Sequence, residues 1–280
     1  MATEPARKGP AISTGTVLRS ERLTPHLIRV VLGGPGLDGF AAGEFTDHYV
    51  KLLFPRPGVT YPDPFDMAVI RADFPRDQWP VTRTYTVRAF ENGELTLDFV
   101  YHGDEGLAGP WAANAAPGDE IRFLGPGGAY TPDPEAGWHL LAGDESALPA
   151  IAASLERVPG DVPAHVFVEV ADASEELDLK VPGATALTWL HRGDAPVGAK
   201  LTEAVRALDF PDGTIHAFVH GEAGFVKELR RFLRVERGIP LDRLSISGYW
   251  RVGRDEDGWQ SSKRDWNRQV EEEESAALKR

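Results

Sequence analysis

The chain has 280 residues, a formal net charge of -13, 42% apolar and 26% charged residues, and no cysteine. That length suits one large or two modest domains, and the acidic balance speaks against non-specific binding to nucleic acid or anionic lipid, which rests on basic surface. Without cysteine there is no disulfide, thiolate-held zinc, cysteine-ligated iron–sulfur cluster or thiol nucleophile, so any redox chemistry must come from an organic cofactor or a metal that the ligand brings.

In chain order, residues 1 to about 12 carry no periodic pattern and are expected to be disordered. Met1 to Gly15 lacks an apolar segment and no apolar run reaches 18 residues, so neither a secretory signal nor a spanning helix is expected. The expectation is a soluble, cytoplasmic protein without membrane insertion. Ile12 to Leu32 alternates as strand, broken at Thr24-Pro25, and Gly33-Gly34-Pro35-Gly36 is a turn cluster. Tyr49 to Phe54 is a strand closed by Pro55, and Pro57 to Pro64 a proline-rich loop. Val81 to Phe90 and Leu95 to His102 flank Asn92-Gly93, a hairpin signature. Ile121 to Leu124 is a further strand before Gly125-Pro126-Gly127-Gly128. Short strands punctuated by glycine and proline predict a small antiparallel barrel.

After about Pro134 the texture changes. Strands at Trp138–Ala142, Ala164–Val170, Ala184–Leu190, Thr214–His220 and Leu244–Tyr249 alternate with helical patterns after Leu148, over Leu201–Leu208 and over Gly224–Arg237. That alternation predicts a parallel sheet of βα units. The tail after Arg251 is charged, with a helix start expected at Ser262 and a thin stripe of Trp266, Val270 and Ala277. The expected architecture is therefore a six-stranded antiparallel barrel (13–134), a doubly wound parallel α/β domain (135–250) and a charged C-terminal helical tail (251–280).

Two segments carry candidate chemistry. On the strand from Val81, Arg83 and Tyr85 share a face. A guanidinium fork suits phosphate oxygens, a tyrosine ring offers a stacking face, and the Thr84 and Thr86 hydroxyls donate and accept. Further on, the strand through Asp98 and Val100 ends at His102 and passes Gly103, Gly106 and Gly109 toward Pro110-Trp111. This run reads either as a cradle for a pyrophosphate or as a glycine-rich connection between barrel strands. Asp144 and Ser146, just past a strand's carboxyl end, read as ligand contacts or as caps of the next helix. No Gly-x-Gly-x-x-Gly fingerprint is present. His191-Arg192 reads as a ribose-phosphate contact or as loop charge. Lys51, inside an apolar strand, either opens into a pocket or snorkels at the barrel edge. The eight histidines have no close ligand spacing beyond His216 and His220, which read as structural.

Arg83-Thr84-Tyr85-Thr86, His102-Gly103-Asp104-Glu105-Gly106, the run from Gly143 to Ile151, Gly221-Glu222, Glu236-Arg237-Gly238 and Gly248-Tyr249-Trp250-Arg251-Val252-Gly253 occur in one order. As a set they resemble the siderophore-interacting protein family, ferric-siderophore reductases of the ferredoxin-reductase superfamily, over roughly Gly15 to Gly253. The resemblance implies a barrel that binds FAD and a domain for NADH or NADPH, and a ferric siderophore as acceptor, from which iron leaves as Fe(II). By that resemblance Arg83 holds a flavin-side phosphate, Tyr85 packs on the isoalloxazine and Thr86 bonds near N5, with Tyr85 and Thr86 as the catalytic pair. Asp98, Val100 and His102 line the ribityl or adenine side, and Gly106, Ala108 and Gly109 meet the pyrophosphate. Asp144 and Ser146 contact flavin or nicotinamide, and Lys51 and Arg251 meet the siderophore. Two departures stand out: the glycine run lacks its usual hydroxyl residue, and Gly127-Gly128-Ala129 stands where some members carry a further cation. Alternatives are a reductase serving ferredoxin or another acceptor, and a non-enzymatic siderophore-binding module.

Overall fold

The computed structural model describes residues 12–279, so the expectation of disorder before Ile12 lies outside the described residues. Six strands close an antiparallel barrel: β1 (Ile12–Thr24), β2 (Leu27–Gly33), β3 (Tyr49–Phe54), β4 (Val81–Glu91), β5 (Glu94–Val100) and β6 (Glu120–Gly127), in the order β1-β2-β5-β4-β3-β6. Alternation turns Val30, Leu32, Val50, Leu52, Leu95, Leu97, Phe99 and Phe123 into an apolar interior. The hairpin from β4 to β5 turns at Asn92 (φ 53°) and Gly93 (φ 78°), the paired left-handed residues of a type I′ turn, with Glu91 opposite Glu94.

Two short helices interrupt the barrel. α1 (Met67–Asp73) follows the Pro57–Pro64 loop, where the sequence predicts no element; the Asp66 carboxylate accepts from the N–H groups of Ala68 and Val69, while Met67 and Ile70 are buried. α2 (Ala108–Asn114) follows the glycine run. β6 runs on past Leu124 through Gly125-Pro126-Gly127.

The second unit is a five-stranded parallel sheet of order β11-β10-β7-β8-β9, from β7 (Trp138–Asp144), β8 (Ala164–Val170), β9 (Thr185–His191), β10 (Ile215–Glu222) and β11 (Leu244–Trp250). Its centre reads as continuous apolar runs because both faces are covered. α3 (Leu148–Leu155) covers one face, α4 (Ala199–Ala207) and α5 (Ala223–Arg231) the other. α5 continues through one wider, π-type turn over Phe232–Glu236. The α3 face also packs against Leu27 and Tyr130, so barrel and sheet share an apolar seam. Polar ties reinforce it: Thr46 with Ser154 (2.8 Å), Arg88 with Glu156 (2.7 Å), and the Glu175 carboxylate with Thr24 and His26.

The tail forms one helix, α6 (Glu256–Leu278), capped by the Asp255 carboxylate on the Gly258 N–H. Its cap lies seven residues before Ser262, the expected start. Asp255 supplies the cap, Glu256 and Asp257 suit the positive end of the helix dipole, and the Ser262 hydroxyl instead bonds back to the Gly258 carbonyl.

Candidate functional site

β4 is paired with β3 from Val81 to Thr86 but meets β5 only from Val87 onward. Backbone N–H groups alternate in an antiparallel ladder. The Val87 N–H donates to the His48 carbonyl on the β3 side, so those of Thr84 and Thr86 turn toward the open edge. The barrel thus turns a short backbone donor edge outward inside Arg83-Thr84-Tyr85-Thr86, where the Thr84 N–H donates to the Glu256 carboxylate of α6 (2.9 Å). Tyr85 lies beside it, its ring 4.3 Å from that of Phe99, and burial pushes its hydroxyl pKa up.

This edge borders a cavity of about 770 Å³ between barrel, sheet and α6, large enough for a cofactor-sized ligand. The barrel contributes Tyr49, Lys51, Thr84, Tyr85, Thr86, Asp98, Val100 and His102; the sheet contributes Glu145, Ser146, His220 and residues of β11; α6 contributes Glu256, Trp259, Gln260 and Lys263. The structure therefore brings together Lys51, Thr84–Thr86, Asp98, Val100, His102 and Ser146 from the sequence-based set. Arg83, Gly106, Ala108, Gly109, Asp144 and Arg251 stand outside this wall.

Four of these, Arg83, Gly106, Gly109 and Asp144, have a visible local role. The Arg83 guanidinium donates to the Thr82 carbonyl (2.8 Å) and to Asp257 on α6 (3.4 Å), and its Nε lies 3.8 Å from Glu256. Asp98 lines the cavity but is held by Arg29, its cross-strand neighbour, through two bonds of 2.7 Å. Gly106 turns at φ 80° just before α2. A Cβ at Gly109 would sit 3.2 Å from the Val100 carbonyl oxygen. The missing hydroxyl residue therefore coincides with a close approach of two backbones. Space is tighter still at Gly127, where a Cβ would lie 2.5 Å from the Tyr49 ring.

Asp144 is wholly buried and ties three strands together. Its carboxylate accepts from the N–H and hydroxyl of Ser146 (3.0 and 2.5 Å), the Glu222 N–H (2.8 Å) and the Trp250 indole (2.8 Å). Burial raises its pKa to about 6 against the pull of the Ser146 bond. Ser146 and Trp250 reach the cavity from this hub. Arg192 is bidentate to Glu145 (2.7 and 3.3 Å) and His191 pairs with Glu176 (2.6 Å).

The cationic side of the cavity comes from two elements. Lys51 on β3 stands across the ladder from Thr84, and Lys263 enters from α6. Burial lowers the Lys263 pKa, and the nearby charge of Lys51 lowers it further. Arg254, rather than Arg251, is the arginine on the wall. Trp259, buried beside Trp266, anchors the folded-back tail at the cavity, whereas Lys263 and Glu256 are not legible in sequence because their place depends on how α6 docks; the available signal is the acidic first turn after Asp255.

The outward Thr86 N–H, the Tyr85 ring beside it and a cavity of about 770 Å³ fit a flat, hydrogen-bonding ring system with a polar tail, so the residues present suit a flavin. Comparison with known proteins agrees. A family model described as the siderophore-interacting FAD-binding domain matches residues 16–130, and one described as siderophore-interacting protein matches 136–253. The chain is 34% identical to the ferric vibriobactin reductase ViuB of Vibrio cholerae, over 86% of this chain and 90% of that one. It is 32% identical to an NADPH-dependent ferric-chelate reductase of Escherichia coli, over 84% and 91%. A siderophore utilization protein from T. fusca superposes with a TM-score of 0.76 at 38% identity, covering 88% of this chain and 95% of that one.

Proposed function

The chain belongs to the siderophore-interacting protein family, and from that premise we propose that it reduces ferric siderophores in the cytoplasm with electrons from NADH or NADPH, releasing iron as Fe(II). It is a flavin-dependent reductase with FAD as its cofactor. When bound, the flavin supplies the conversion between a two-electron hydride donor and a one-electron ferric acceptor.

The residues of this chain place and shield that chemistry. The Thr86 N–H and the Tyr85 ring orient the ring system, the Thr84 N–H being held by Glu256, and Asp98, Val100 and His102 flank its tail. We assign the flavin unit to 13–134, the nucleotide unit to 135–250 and the strap to 251–280. The observation that supports the acceptor most directly is the pairing of Lys51 with Lys263 on one cavity wall. The charge of Lys263, opposed by burial and by the nearby Lys51, is relieved by an anion, and many ferric siderophores are anionic. A chain of net charge -13 needs local cations to take an anionic acceptor, and Lys51, Lys263 and Arg254 supply them at the cavity. Fe(II) is poorly held by hard oxygen donors, so the protein needs no iron ligand of its own to let the metal leave.

The test is the absorbance spectrum of the purified protein, followed by anaerobic addition of NADH and, separately, NADPH. A flavin spectrum bleached by at least one donor is expected. A flavin bleached by neither, while reduced ferredoxin bleaches it, would replace the nicotinamide donor by ferredoxin.

A further inference from the structure

α6 spans 23 residues, or about 34 Å at the standard helical rise, and is fixed at two places. Its far half is clamped to α5 and the following turn: Glu274 receives Arg230 (2.7 Å) and Arg234 (2.8 Å), Lys227 pairs with Glu273 (2.8 Å), and Val270 is buried. Trp259 packs against Gly248 and the Trp266 ring. All of these partners belong to the α/β unit or to α6 itself. Among the described residues, the hydrogen bonds and ion pairs from α6 to the barrel come from its first turn. There Glu256 accepts from the Thr84 N–H (2.9 Å) and lies 3.8 Å from Arg83, whose guanidinium also reaches Asp257.

Helical phase links this anchor to the cavity. Glu256, Gln260 and Lys263 fall at i, i+4 and i+7, on one face of α6, and all three line the cavity. Seven residues separate Glu256 from Lys263, about 10 Å along the axis. The barrel side closes the circuit, because Lys51 is the ladder partner of Thr84, the residue whose outward N–H Glu256 holds. Lys51, Thr84, Glu256 and Lys263 therefore form one chain of fixed spacings. Without the link at Glu256, repulsion between the two ammonium groups would favour a tilt of α6 away from the barrel.

Burial also opposes the charge of Glu256, raising its pKa against the Thr84 and Arg83 contacts. A partly buried carboxylate of this kind adds little net stability, and its better-attested use is to fix geometry.

We propose that Glu256 is a positioning residue for the electron acceptor: by tying the first turn of α6 to the Thr84 N–H, it sets Lys263 across from Lys51 and so sets the affinity for an anionic ferric complex. This rests on the reading of Lys51 and Lys263 as the acceptor's cations. It makes a prediction opposite in sign to simple electrostatics. Removing a carboxylate beside two cations would by charge alone tighten anion binding, whereas loss of the anchor weakens it.

The experiment uses the full-length flavoprotein and the redox-inert gallium(III) complex of a hexadentate tris-catecholate, a trianion, titrated by quenching of tryptophan fluorescence. Glu256→Ala is expected to weaken binding at least fivefold. Glu256→Gln, which keeps an oxygen for the Thr84 N–H, should stay within twofold of the parent or bind more tightly. In a Lys263→Ala background, Glu256→Ala should cost less than twofold, since there is no cation left to place. Unchanged or tighter binding by Glu256→Ala would overturn the proposal, as would an undiminished fivefold loss in the Lys263→Ala background. If Lys51→Ala and Lys263→Ala both bind the complex as well as the parent does, the cation reading itself falls, and this inference with it.

Discussion

Asp144 satisfies two backbone N–H groups, a hydroxyl and an indole from a fully buried position. Truncating it strands the donors of Glu222 and Trp250, each worth about 1–3 kcal/mol when left unpaired in the interior. Asp144→Ala should therefore lower unfolding stability by at least about 2 kcal/mol in urea titrations, and a change under 0.5 kcal/mol would show that the hub is dispensable. Arg83→Ala tests a different residue-scale claim. If Arg83 holds the flavin phosphate, the variant should purify with depleted FAD; if its main partners are Glu256 and Asp257, FAD content should stay near that of the parent. The chemistry of Arg83-Thr84-Tyr85-Thr86 was legible in sequence because a strand's two-residue period is short and local. The identity of the second lysine was not, since Lys263 lies more than 200 residues from Lys51 and reaches the cavity only through the docking of α6. Arg251 was chosen by its place in a motif, yet Arg254, one turn nearer the helix, is the arginine that lines the wall.

The order of elements followed from periodicity. Parallel strands buried on both faces read as apolar runs, and the Asn92-Gly93 turn marked its hairpin. Ends and interruptions were less visible. α1 hides among prolines, with only Asp66 as a capping signal, and α6 was placed too late because its acidic first turn reads equally well as a solvated tail. Trp259 carries a testable consequence of this docking. It is 1% exposed and packs on Gly248, where a Cβ would lie 3.0 Å from its ring. Trp259→Ala should cost about 3–5 kcal/mol if α6 unfolds together with the domain. A loss below 1 kcal/mol, with a separate early transition, would mean that α6 is an independent strap.

Across the whole molecule, buried histidines set the response to acid. Burial lowers the pKa of His139 to about 4 and that of His220 to about 3, and also lowers that of His216. A base whose folded pKa is depressed binds its proton more readily in the unfolded chain. Its contribution is therefore intact above the ordinary value near 6.5 and is lost as pH falls toward the folded value. Each such histidine contributes about 1.4 kcal/mol per pH unit within that window. Asp144 and Glu256, with raised pKa values, act in the opposite sense as they take up protons and offset part of the loss. Stability should thus decline between pH 6.5 and 4. Among the described residues His139 has no hydrogen-bond partner on either ring nitrogen, so His139→Leu should flatten that slope without lowering stability at pH 7.5. An unchanged slope would assign the acid response to other groups.

The whole assembly places a barrel edge suited to a flavin, the carboxyl ends of a parallel sheet and a two-lysine wall around one cavity. The central claim is that electrons leave this cavity for an anionic ferric siderophore. Its most direct test is a single turnover: the FAD-loaded protein is reduced anaerobically, excess donor is removed, and a ferric tris-catecholate is added with a ferrous-specific chelator present. The account predicts that the flavin absorbance returns, that two Fe(II) are trapped per flavin, and that Lys51→Ala and Lys263→Ala each slow reoxidation at low acceptor concentration. Reoxidation that is no faster with the ferric complex than with buffer alone, or that is indifferent to both lysines, would contradict it.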